Sequence, residues 1–166
     1  MNLFKKAQGI NYLAGAVVIF LFGFFSLLAY TVWIEVVNAL TTGGFYVGQV
    51  KVTIDAFTNG FLATDYLIVL LVIIIFLAIA FTSYKISTDT AFFIITIIVG
   101  FFWCAISYFF NYVFIQLVSP SVFSTAWGVF PRTLIICTNL HWIVLIELII
   151  GSITLYGKKE KAEFLS

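Results

Sequence analysis

The sequence predicts an all-α integral membrane protein: four transmembrane helices in an antiparallel bundle, with both termini on the same, cytoplasmic-type side. Three observations lead there. Hydrophobic residues make up 63% of the 166-residue chain and charged residues 9%, whereas a soluble domain has about 45–50% and about 25%. Four apolar runs reach the roughly 20 residues that a bilayer-crossing helix needs. Six of the eight Lys and Arg residues fall in segments that four spans would place on one side, as the positive-inside rule requires.

The same composition excludes other classes. Eight basic and seven acidic side chains cannot cover the surface of a soluble fold. Two cysteines cannot build a disulfide scaffold. A net charge of +1 lacks the basic footprint of a nucleic-acid binder, so no nucleic-acid partner is expected. Membrane β-strands would show shorter, alternating segments. No repeat or low-complexity tract is visible, and residues 1–166 read as a single polytopic domain.

The first span is expected over residues 10–37 and reads as a retained helix, because its apolar run is too long for a cleaved signal peptide. An outer loop follows at 38–65. Thr41-Thr42-Gly43-Gly44 is a turn. Val50, Val52 and Ile54 alternate as in a strand, whereas Val47, Val50, Ile54, Phe57 and Phe61 recur at helical spacing. An unpaired strand is costly near lipid, which favours an amphipathic segment in the interface. The second span covers 66–84, with Thr64 and Asp65 able to cap it. The inner link 85–89 closes a hairpin with the third span, 90–118, which Thr88 or Asp89 can cap. At about 43 Å, that span exceeds the bilayer core of about 30 Å and must tilt or project. The outer loop 119–132 reads as a short helix: Ser119-Pro120 opens it and Gly128 ends it. The fourth span covers 133–156, and the inner tail 157–166 holds Lys158, Lys159 and Lys161 as a topology anchor.

Glu147 is the most informative residue. A carboxylate in the middle of a span is expensive and by default raises a functional question. It is read as assembly glue, bonding a neighbouring helix, with a proton or cation relay as the alternative. His141, six residues earlier, points about 120° away on a regular helix and so meets a different neighbour. Cys137 and Thr138 share its face and extend a polar seam. Thr96, Gly100, Cys104, Ser107 and Asn111 recur every three or four residues on the third span, forming a small-residue seam that packs on the fourth. Cys104 and Cys137 lie at different depths, so no disulfide is expected. Glu35 and Arg132 share the outer level and could pair, at modest energetic worth.

No cofactor or metal site is expected. Ligand clusters are absent, as are a haem-binding histidine pair, Cys-x-x-Cys, and phosphate-binding or nucleophile-elbow motifs. The chain therefore reads as non-catalytic: a structural or accessory subunit of a larger membrane-embedded assembly, either a multi-subunit membrane complex or a membrane-containing virus particle. Its partners would be the lipid bilayer and other membrane-protein subunits, with a hetero-assembly favoured over a homo-oligomer. The alternative is a small oligomeric channel, holin-like pore or transporter that uses Glu147. An enzyme acting on lipid or quinone is weaker still, because it would need polar groups convergent at one depth.

Overall fold

A computed structural model describes the backbone of residues 3–85 and 90–163, and the side chains of 14–84, 93–121 and 123–155. Among these residues the chain is entirely helical: α1 (Leu3–Thr42), α2 (Gly48–Lys85), α3 (Thr90–Val118), a 3-10 turn (Ser121–Phe123), α4 (Ser124–Val129), α5 (Pro131–Thr138) and α6 (Leu140–Glu163). α1, α2 and α3 are each long and apolar enough to cross a membrane. α5 and α6 together make a fourth candidate, bent by 69° at Asn139.

The expected outer loop 38–65 is not a loop. α1 continues to Thr42, and α2 begins at Gly48 with 38 residues, about 57 Å of helix. The expected second span at 66–84 is only its C-terminal half. Helical spacing from Val47 to Phe61 won over strand-like alternation because α1 supplies a helix to pack against. Aligned contacts climb the pair: Ile75 against Gly15, Ile68 against Gly23, Phe61 against Tyr30, and Phe57 against Trp33. At the top, the Trp33 indole N–H donates to Thr58 Oγ1 at 3.0 Å.

The turn itself lies where the Thr-Thr-Gly-Gly run placed it. Phe45 N–H donates to Leu40 O and Gly44 N–H to Thr41 O, the paired bonds of a Schellman motif. Gly44 has φ +74° and Gly48 φ +54°, backbone that only glycine adopts without a Cβ penalty. The Tyr46 hydroxyl donates to Asp55, and Lys51 Nζ lies 5.8 Å from the Tyr46 ring centroid. That hydrogen bond, then desolvation and the carboxylate's negative charge, push the phenol above its ordinary value of 10.0. A raised folded-state value means that the contact's stabilisation is complete below pH 10 and is lost as pH rises through the folded value. In a tyrosinate absorbance titration, the component missing from Tyr46→Phe is expected to ionise above pH 10. A missing component at or below that value contradicts the contact.

Two connections differ from expectation. α2 and α3 are joined by a short link, yet among the described residues they barely touch. α3 packs mainly on α6 and on α1, and α2 mainly on α1, α6 and α5. The two therefore occupy opposite corners and do not form a hairpin. The link at 86–89, with the proposed caps Thr88 and Asp89, lies outside the described residues. In the second connection, Gly128 sits inside α4 and does not end it; the stop falls at Phe130, with φ −116° and ψ 57°. Trp127 Nε1–H donates to Val118 O at 2.8 Å and ties α4 to the last turn of α3.

The expected fourth span, 133–156, starts earlier, breaks in its first third and ends later. Pro131 opens α5 at a first-turn position, where its missing N–H is not needed. Asn139 then leaves helical geometry at φ −120° and ψ 23°. Its side-chain amide donates to Ile135 O at 2.8 Å, and its carbonyl accepts from Trp142 N–H at 2.9 Å. One residue thus ends α5 and starts α6. α6 runs on to Glu163, through most of what was expected to be a tail.

Candidate functional site

Asp65 was expected to cap the helix it lies on. It is instead mid-helix in α2, and its carboxylate caps α5. The carboxylate accepts the Thr133 N–H at 2.8 Å, the Arg132 N–H at 3.3 Å and an Arg132 guanidinium N–H at 3.1 Å. Thr64 likewise bonds its own helix, at Phe61 O. Asp65 is 2% exposed, while Arg132 is 42% exposed and lays its guanidinium 3.9 Å from the Tyr66 ring centroid. The expected partner of Arg132, Glu35, is solvent-facing on α1. The carboxylate wins at Asp65 because it meets both free N–H groups and the positive end of the α5 dipole. An exposed carboxylate such as Glu35 would gain only a surface ion pair.

The expected seam of Cys137, Thr138 and His141 does not exist as one face, because the bend at Asn139 divides it. Cys137 turns to α1, its Sγ packed over Gly23 and 3.9 Å from Ile19 O. Thr138 bonds back to Leu134 O. His141 turns to α3, edge-on to Tyr108 at 5.5 Å. On α3, Leu148 of α6 fills the notch at Gly100, and Cys104 Sγ lies 3.4 Å from His141 O. Ser107 bonds Trp103 O within its own helix. Thr96, Ser107 and Asn111 are all buried. Both cysteines are free.

Glu147 is completely buried in α6, and neither carboxyl oxygen has a hydrogen-bond partner among the described residues. It faces α1: a Cβ built on Gly15 would lie 3.9 Å from Glu147 Oε1. A groove of about 270 Å³, lined in part by Gly15, opens between α1 and α2. A second groove, of about 450 Å³, lies on the N-terminal half of α2 around Ala56, Phe57, Gly60, Phe61 and Thr64.

Sequence reasoning missed three determinants. Asn139 was visible as an amide within an apolar run, a residue that competes for backbone hydrogen bonds and favours helix ends. The reach of Asp65 to α5, across 68 positions, and the adjacency of Gly15 to Glu147 are long-range facts with no local signal. Comparison of the chain with protein-family models, with curated proteins and with solved structures returned no match.

Proposed function

We propose that the chain is a four-span membrane protein with both termini on one cytoplasmic-type side, and that it serves as a non-catalytic structural or accessory subunit of a larger membrane-embedded assembly. The lysine distribution supports the orientation. Counting α5 and α6 as one bent span supports the number.

The observation that carries the functional reading is the length of the α1–α2 pair. Twenty residues back from Lys85, about 30 Å of helix and one hydrocarbon thickness, lies Asp65 with Arg132 and Tyr66. A charged pair beside an aromatic ring suits the interface. From that level, the α1–α2 pair stands about 25 Å further out. Large apolar side chains are exposed there: Phe45 and Val47 are each 65% exposed, and Val52 and Phe57 each 60%. Large apolar side chains exposed outside the hydrocarbon suit an interaction site. The groove at Gly60, where an added Cβ would meet nothing within 4 Å, suits a bulky side chain of another membrane-protein subunit. The enclosure of Glu147 within one copy weighs against a pore lined by that residue between copies.

The test is gentle extraction from the native membrane or particle followed by native mass spectrometry. Recovery with defined heterologous proteins is the expected result. Recovery as a monomer or homo-oligomer overturns the reading. Gly60→Leu is expected to preserve the fold, since the site is open and leucine favours helix by about 1 kcal/mol over glycine. It should nevertheless fill the groove and deplete the partner from the recovered complex. Unchanged recovery would remove that groove from the interface.

A further inference from the structure

We propose that the groove between α1 and α2 binds a small amphiphile from the surrounding apolar phase, a molecule with one O–H or N–H donor, and that Glu147 is its acceptor. The walls are Gly15 and Val18 of α1 with Ile75, Ala78, Ile79 and Thr82 of α2. Apart from Thr82 they are hydrocarbon, and the Thr82 hydroxyl is already directed to Ala78 O and Ile79 O. The groove therefore recognises an apolar body and offers little of its own to a polar group. The carboxyl of Glu147 lies next to that wall. Gly15 has no side chain, and the position its Cβ would take is 3.9 Å from Glu147 Oε1 and 2.9 Å from Ile75 Cγ2. The Ile75 side chain thus closes the way from the groove to the carboxyl, and a ligand reaches Glu147 when that side chain turns aside.

Two independent observations thus converge on one point. Glu147 is fully buried and its oxygens lack a donor among the described residues, an arrangement that native interiors avoid unless a partner is supplied. The groove opens sideways, with Val18 and Ala78 exposed at its rim, so a molecule dissolved among lipid chains enters without crossing the packed interior. Its volume, about 270 Å³, suits a compact ligand and lies near the small end of ligand sites. This inference does not depend on the accessory-subunit reading, which rests on the other end of the same helix pair.

Dicyclohexylcarbodiimide, an apolar reagent to which carboxyl groups add across a C=N bond, is the direct probe. In liposomes holding the full chain, peptide mass spectrometry is expected to find the adduct on Glu147. A water-soluble, permanently charged carbodiimide should leave that residue unmodified. Ala78→Trp and, on the opposite wall, Val18→Trp fill the groove from exposed positions, and each is expected to cut labelling roughly tenfold with the helical signal and elution volume unchanged. Octanol should slow labelling roughly fivefold more than octane at equal membrane content, the scale of one hydrogen bond. Absence of label on Glu147, or undiminished labelling in both tryptophan variants, overturns the site. Equal protection by octane and octanol overturns Glu147 as the acceptor.

Discussion

Replacement of Asp65 by alanine is expected to destabilise the fold by about 3 kcal/mol, the upper end for the loss of one helix cap together with charge-assisted hydrogen bonds. The Arg132 contact contributes little of this, because the guanidinium is 42% exposed and solvent screens it. The larger part is the pair of backbone N–H groups at the start of α5, which lose their acceptor where little water can replace it. Asp65→Asn retains one acceptor oxygen and should cost about half as much. Arg132→Ala should cost about 1 kcal/mol or less, and Glu35→Gln should stay within about 0.5 kcal/mol. Equilibrium unfolding by SDS in mixed micelles measures all four. If Asp65→Ala unfolds at the wild-type midpoint, α5 does not depend on that carboxylate. If Glu35→Gln is as damaging as Asp65→Ala, the pairing at Arg132 is wrong.

The second large effect lies at the contact of α3 with α6. A methyl at Gly100 would fall 2.1 Å from Leu148 Cδ1, 2.8 Å from Cδ2 and 2.9 Å from Cγ. Rotating the tip of the leucine cannot relieve all three, so the helices must part or Leu148 must leave its site. Gly100→Ala is expected to cost about 1–3 kcal/mol from overpacking, against a helix-propensity gain of up to about 1 kcal/mol. Leu148→Ala should cost about 2–5 kcal/mol, since the side chain is 4% exposed and leaves a cavity. The double variant places the new methyl in the vacated space, so its cost should fall short of the two single costs combined by about 1 kcal/mol or more. Strict additivity would mean that the notch and the leucine do not meet.

The sequence foretold helical elements well and their ends poorly, for identifiable reasons. Apolar runs longer than 18 residues located α1, the C-terminal half of α2 and α3, because exposed and buried positions are both hydrophobic and hydropathy drops at each boundary. The N-terminal half of α2 escaped because Gln49, Lys51, Asp55 and Asn59 lower its hydropathy, although its helical period was present from Val47 to Phe61. The spacing of Thr96, Gly100 and Cys104 was readable since one helix carries it all, and the structure sets that stretch against α6. Asp65 on α5 and Gly15 against Glu147 join residues from different helices. Helical periodicity constrains which face a residue occupies, but says nothing about which helix that face will meet.

The opposite-corner placement of α2 and α3 bears on the order in which the chain can mature during synthesis. Once α3 has emerged, it shares with α2 only the flank of α1, and neither has met the segment that holds them at the proper distance. That segment, Pro131 to Glu163, follows the other three in the chain. It enters as a wedge, bringing Leu148 to Gly100, Thr133 to Asp65 and Cys137 to Gly23. Until then α2 and α3 are each packed on α1 alone. The Gly100 notch and the Asp65 carboxylate both wait for the C-terminal fifth of the chain.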